Sequence, residues 1–195
     1  VYNRAAPMKP ESWADLLKPE ARGQVIMPSP LFSGAAAIHM GAISRQQGLG
    51  WAWFEGLKNN GAQAARGNPA VLEAVAGGQK LYGVIVDFMA IRARERGSPV
   101  EFVFPREGAT FVTEPVAILR TARNVPAARA FVDFALSADG QALAAGQGML
   151  PALAGVTPPQ GFPPPANVRL MPIPIADILR TDERDKERFA DLFGR

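Results

Sequence analysis

The chain has no cysteine, a single histidine (His39) and only two tyrosines, Tyr2 and Tyr82. The missing thiols exclude disulfides, thiolate metal sites and cysteine nucleophiles, and they suit an exported protein that avoids thiol chemistry. One imidazole cannot build a His-rich metal centre. No Asp or Ser is arranged around His39 as a nucleophile–base–orienter set, so the chain reads as a non-enzyme. Long apolar runs are also lacking. Stretches such as Leu81 to Val86 fall far short of the ~20 residues a membrane-spanning helix needs. Positive charge exceeds negative by only +3. Apart from Arg92, Arg94 and Arg96 the excess is scattered, without the basic, aromatic-studded face that nucleic acid requires. No basic segment followed by an apolar stretch opens the chain, as is also true of a mature or trimmed exported protein. No cofactor-binding motif is present.

What remains is the composition of a folded chain, with 48% apolar and 20% charged residues and length for one domain or two small ones. Helix and strand signals alternate, predicting an α/β architecture. A short helix is expected over Pro10–Leu17 with Ser12 as cap, then a strand over Gln24–Met27. Further helices are expected over Ser33–Gln47, Trp51–Lys58 and from Asn68-Pro69 to Gly77-Gly78. Leu81–Val86 reads as a strand, Asp87–Arg96 as a helix, Val100–Phe104 and Pro115–Leu119 as strands. Pro126–Leu136 is amphipathic, with Ala130, Phe131, Phe134 and Ala135 on one face. Ser137 opens another helix that ends near Gly146-Gln147-Gly148. Pro158-Pro159 and Pro163-Pro164-Pro165 read as an extended surface segment. Thr181–Phe193 reads as a surface helix with Phe189, Leu192 and Phe193 turned inward.

The most informative stretch is Ser33-Gly34-Ala35-Ala36. It follows the apolar Val25-Ile26-Met27 and the turn-like Pro28-Ser29-Pro30, and it opens a helix. Ser33 is a favoured cap, Gly34 lets a ligand approach the backbone, and the first N–H groups of a helix lack partners. Together they make a place for phosphate, phosphonate or carboxylate. An ordinary capped helix explains the same residues.

Several segments, taken in order, resemble the periplasmic solute-binding proteins of ABC importers, in particular the family that includes ferric-ion-binding proteins. They are Ser12-Trp13-Ala14-Asp15-Leu16-Leu17, Gly23-Gln24-Val25-Ile26-Met27-Pro28, Phe32-Ser33-Gly34-Ala35 and Ala74-Val75-Ala76-Gly77-Gly78. Val100 to Gly108, Ala130-Phe131-Val132-Asp133-Phe134 and Leu136 to Gln141 continue the series. The resemblance implies a type 2 periplasmic-binding-protein architecture, here one complete lobe plus the C-terminal part of the other. Residues 1–8 would be a hinge strand and 9–104 the second α/β lobe. Residues 105–195 would be the return hinge and the C-terminal part of the first lobe, with about a hundred further residues of that lobe preceding Val1 in a complete member.

The resemblance also implies a function: extracytoplasmic capture of a small anionic solute between two lobes and delivery to a membrane permease, with no nucleic-acid partner. Its implied ligand residues are Ser29, Ser33, Gly34, Ala35, Asn68 and Asp87. Ser29 serves equally as a turn residue, Asn68 as a helix cap, and Asp87 as the cap of a helix beginning at Phe88. Ferric-binding relatives place an Asn and two adjacent tyrosines where this chain has Asp87-Phe88-Met89-Ala90, so no metal ligand is expected in this lobe. An anion pocket disfavours Asp87, since a carboxylate ~4 Å from a bound anion costs several kcal/mol at an effective dielectric of ~20. If it lines the cleft, it would face an amine or sugar hydroxyls. That pairing suggests a bipolar solute such as an aminoalkyl phosphonate or sugar phosphate. A ferric-iron carrier and the effector-sensing domain of a transcription regulator are the alternatives. His39 is expected to be packed or on the surface rather than a ligand.

Overall fold

The structure, a computed structural model, describes residues 1–163 and 167–194. Its contacts group Val1–Val112 with the C-terminal residues from 167 onward, and set Thr113–Pro163 apart as a second unit.

The first unit is built on five short strands: β1 (Tyr2–Asn3), β2 (Val25–Pro28), β3 (Gln63–Ala65), β4 (Tyr82–Gly83) and β5 (Val100–Glu101), in the order β3-β2-β4-β1-β5. Interior strand β2 runs parallel to both neighbours, with Ile26 opposite Gln63 and Val25 opposite Tyr82, whereas β1 is antiparallel to β4 and β5. All four β2 residues are buried, as expected of a parallel strand covered on both faces. The period of two then sorts its side chains. Val25 and Met27 join one core with α1 (Gly34–Ile43), α2 (Gly50–Asn59) and the 3₁₀ turn Trp13–Leu17. Ile26 joins a second core with Val71, Ala74 and Val75 of α3 (Asn68–Ala76), Ala93 of α4 (Asp87–Glu95) and Val100. Helices therefore cover both faces of the sheet.

Each parallel strand feeds a helix from its C-terminal end: β2 leads to α1, β3 to α3 and β4 to α4. In open α/β sheets this edge is where ligands bind.

The second unit holds α5 (Val125–Leu136), capped by Asn124, and α6 (Ala138–Gly146), capped by Ser137. The last helix, α7 (Ile175–Phe193), lies with the first unit. Its Ile178 packs so closely on α1 that a Cβ at Gly41 would stand 2.7 Å from Ile178 Cγ2. Phe189 is buried against Phe54, and Leu192 and Phe193 are partly buried beside the same core, the inward face expected from the sequence.

Several expectations need correction. The Ser33 helix stops at Ile43, short of Gln47. Strand β4 is two residues long, and α7 begins six residues before Thr181. The short Ala-rich β3 was not foreseen; it exists through its register with β2 rather than through β-branched residues. Pro115–Leu119 forms no strand, because no neighbouring segment among the described residues pairs with it. Within 105–195, contacts group 105–112 and the residues from 167 onward with the first unit, and 113–163 by themselves. Residues 105–112 stay with the first unit, where Glu107 accepts from the Ser12 hydroxyl and the Trp13 indole donates to Gly108 at 2.9 Å. Pro158-Pro159 and Pro163 lie in irregular chain, while Pro164 and Pro165 lie outside the described residues.

Candidate ligand site

Local chemistry starts the site at the end of β2. Ser29 closes a tight turn: its carbonyl accepts from the Phe32 and Ser33 amides (3.2 and 3.1 Å), and its hydroxyl accepts from Leu31 N–H at 3.3 Å. At 5% exposure Ser29 holds the turn's shape, its hydroxyl serving the turn as an acceptor. The turn delivers Ser33 as the cap of α1, with its Oγ accepting from Ala36 N–H at 3.2 Å.

Asn68 is not the cap of α3. Gly67 holds that position, Asn68 is the first helical residue, and Pro69 follows it. The side chain is thereby released to reach sideways. Its Nδ2 donates to Ser33 Oγ at 3.4 Å, and its Oδ1 accepts from Val86 N–H at 3.1 Å. One amide group thus ties together the beginnings of α1, α3 and α4. Both Oγ lone pairs of Ser33 are engaged, which leaves its hydroxyl proton for an outside acceptor.

Beside that hydroxyl, the Gly34 and Ala35 N–H groups meet no acceptor among the described residues. Gly34 is exposed, and a Cβ built there would have nothing within 4 Å. Two free amides and one free hydroxyl proton at the positive end of α1 form a donor set for an anion.

Asp87 is the first residue of α4 rather than the cap before Phe88; Val86 takes the cap position. Its Oδ1 accepts from Phe88 N–H at 2.7 Å. Burial pushes its carboxyl above the usual carboxylate range, against the opposing effect of the backbone hydrogen bonds. A half-buried carboxyl that forms no ion pair among the described residues thus stands one residue beyond the Val86 amide that Asn68 holds.

Among the described residues no three His, Cys, Asp or Glu side chains gather closely enough to hold a metal. Tyr82 is fully buried, its hydroxyl exchanges hydrogen bonds with Met8 at 3.2 Å, and burial pushes its phenol upward. His39 is packed, as one of the two readings had it, between Trp13 (ring centroids 4.8 Å apart) and Trp53 (6.3 Å). Its Nδ1 meets Thr110 Oγ1 at 3.2 Å.

Sequence reasoning missed the bridging role of Asn68 and the pairing of Arg66 with Phe32, whose ring centroid lies 5.2 Å from the guanidinium carbon. Both depend on the β2–β3 register. The available signal was an arginine two residues before Asn68 and an aromatic residue directly before Ser33.

A family model described as bacterial extracellular solute-binding protein matches residues 2–180. The spermidine/putrescine-binding periplasmic protein of Escherichia coli is 30% identical over 147 residues, 68% of this chain and 40% of its own length. The periplasmic binding protein AfuA from Actinobacillus pleuropneumoniae, solved with exogenous fructose-6-phosphate bound, superposes with a TM-score of 0.81 at 26% identity, over 95% of this chain and 60% of its own. A Bordetella ferric binding protein shares the fold, with a TM-score of 0.69 at 21% identity, over 98% and 65% of the two chains. The chain spans about two fifths of the length of the curated relatives it matches.

Proposed function

The chain belongs to the bacterial extracellular solute-binding protein family, and from that premise we propose that it forms one wall of the solute cleft of an ABC importer's extracytoplasmic binding protein. The solute is a small anionic molecule of the phosphonate or sugar-phosphate kind, handed on to a membrane permease. The reading rests on one observation above all. Three helix N-termini meet at the C-terminal edge of parallel strands, tied by Asn68, with the Ser33 hydroxyl proton and the Gly34 and Ala35 amides unengaged among the described residues.

The chemistry follows from the donors. An anionic oxygen at the α1 N-terminus replaces water on two amides and a hydroxyl, and such charge-assisted bonds are about twice as strong as neutral ones. Asp87 would repel the same anion by about 4 kcal/mol at ~4 Å and an effective dielectric of ~20. It therefore suits a different part of the ligand: hydroxyls, to which a protonated Asp87 can also donate, or an amine. An anionic head and a hydroxylated or cationic tail describe one bipolar solute. This chain's likeness to a protein solved with fructose-6-phosphate supports the head group.

Ferric iron is the second reading, favoured by the shared fold of ferric binding proteins. Without phenolates at α4 it would need its ligands from elsewhere. Calorimetry on the full-length protein separates the readings. Fructose 6-phosphate or 2-aminoethylphosphonate should bind, and Gly34→Val, whose side chain enters open space, should remove that binding with the fold intact. Iron uptake with a phenolate charge-transfer band, without organophosphate binding, overturns the proposal.

A further inference from the structure

Arg66 lies two residues before Asn68 and carries its charge beside the Phe32 ring. The residue is exposed and takes part in none of the ion pairs among the described residues. Its guanidinium stands over the ring of Phe32, 5.2 Å from the centroid. Phe32 is itself 55% exposed and directly precedes the cap Ser33. Phe32 and Arg66 thus form an exposed cation–π pair directly before the α1 cap.

The backbone holds Arg66 in place from both sides. The carbonyl of Ala65 accepts from Ser29 N–H at 2.7 Å, and Ala65 lies in register with Pro28. Two residues further on, Asn68 is tied to Ser33 Oγ. The single arginine of the β3–α3 connection is thus pinned to the β2–α1 turn before and after its own position. Among the described residues the guanidinium's contact is with the Phe32 ring, 5.2 Å from its centroid. The N–H groups around its edge stay available for a bidentate acceptor.

We propose that Arg66, presented by Phe32, is the charge-selecting residue of this site: it favours a dianionic phosphoryl or phosphonyl head seated on Gly34 and Ala35 and rejects polyamines. The inference rests on the anion site proposed above and adds the residue that chooses among solutes. An exposed cation–π contact orients the guanidinium without locking it. A phosphoryl group with two charges and three equivalent oxygens can bridge the Arg66 fork and the α1 amides together. A carboxylate has one charge and two oxygens for the same task. Because a phosphate monoester loses its second charge near pH ~6, binding weakens below that pH in proportion to the contribution of Arg66.

The test is calorimetric titration of the full-length protein with fructose 6-phosphate and with spermidine, for the wild type, Arg66→Ala, Arg66→Lys, Phe32→Ala and Gly34→Val. Arg66→Ala should weaken fructose 6-phosphate binding by about tenfold to a hundredfold. Arg66→Lys should restore part of that loss, and Phe32→Ala should cost a few-fold (about 2- to 5-fold). The drop in affinity between pH 7.5 and 5.5 should be smaller in Arg66→Ala. If Arg66→Ala binds like the wild type while Gly34→Val does not bind, the selector role is overturned and the anion site stands. If neither substitution matters, or only spermidine binds, the anion site falls and the selector with it.

Discussion

At the scale of single residues, His39 shows how a side chain can be chemically conspicuous and still serve packing. Its ring is enclosed between two tryptophans, Nδ1 is paired with Thr110, and Nε2 is buried without a partner among the described residues. Burial pushes the imidazole from 6.5 down to about 4. The folded chain therefore holds it neutral at pH values where the unfolded chain would protonate it. Stability from this group is complete above about 6.5 and shrinks as pH falls from there toward 4. Its full loss is on the order of 3 kcal/mol. Urea unfolding of wild type and His39→Gln at pH 7 and pH 5 should show a smaller pH effect in the variant, even though losing the ring contacts lowers its stability at pH 7. Equal pH effects would mean that the imidazole already titrates normally in the fold.

Legibility in the sequence also divides at this scale. The Ser33 cap could be read because capping is local: Ser33 Oγ and Ala36 N–H are three residues apart. Asn68 was recognised as a helix-start residue, but its partners Ser33 and Val86 lie 35 and 18 residues away. Those distances are bridged only by the parallel pairing of β2 with its neighbours, which no local pattern announces. Arg66 and Phe32 were invisible as a pair for the same reason.

At the scale of elements, the joint between α1 and α7 is both apolar and ionic. Ile178 fills the space left by the missing side chain of Gly41, and Arg45 holds the two helices together. The guanidinium donates to Asp185 Oδ2 at 2.9 Å, to Gly41 O at 2.9 Å and to the Thr181 hydroxyl. Burial pushes the Asp185 carboxyl up, but the Thr181 and Arg45 bonds outweigh it and hold the group below its ordinary value. Its stabilisation is therefore present above the unfolded carboxylate range and is lost as pH falls through the depressed folded value. Arg45→Ala removes the closer guanidinium from a carboxylate that is only 5% exposed and leaves it the Thr181 hydroxyl and Arg184 at 3.7 Å, which costs about 1.5–3 kcal/mol. Replacing both partners, Arg45→Met with Asp185→Leu, should cost clearly less in thermal and urea unfolding. Equal losses in the single and double variants would show that the pair contributes packing alone. The amphipathic pattern made α7 readable; the partner that covers it was not, since α1 lies more than a hundred residues earlier.

At the scale of the whole molecule, the two contact units are built to different standards. The first has apolar clusters on both faces of a sheet, with Trp53, Phe54, Ile43, Val25 and Val75 at or below 1% exposure. In Thr113–Pro163 no residue of α5 is buried, and only Gly140 and Ala145 of α6 are. Phe131, Phe134, Leu136 and Leu143 stand 63%, 47%, 56% and 61% exposed. The apolar stripe of α5 was legible from its spacing, yet nothing in the spacing says whether a stripe is covered. Ordering the backbone costs about 1–2 kcal/mol per residue, and a unit with so little buried apolar surface has little to set against that cost. Native-state hydrogen exchange of this 195-residue chain should accordingly show α1, α2 and α3 protected close to the global unfolding limit. The amides of α5 and α6 should exchange through local opening at a far smaller free energy. The exposed apolar side chains of α5 and α6 should bind a hydrophobic dye and promote concentration-dependent self-association, and Phe131→Lys with Leu143→Lys should reduce both. Protection of α5 and α6 equal to that of α3, with no dye binding, would show that the stripe is covered in solution and that the second unit is as stable as the first.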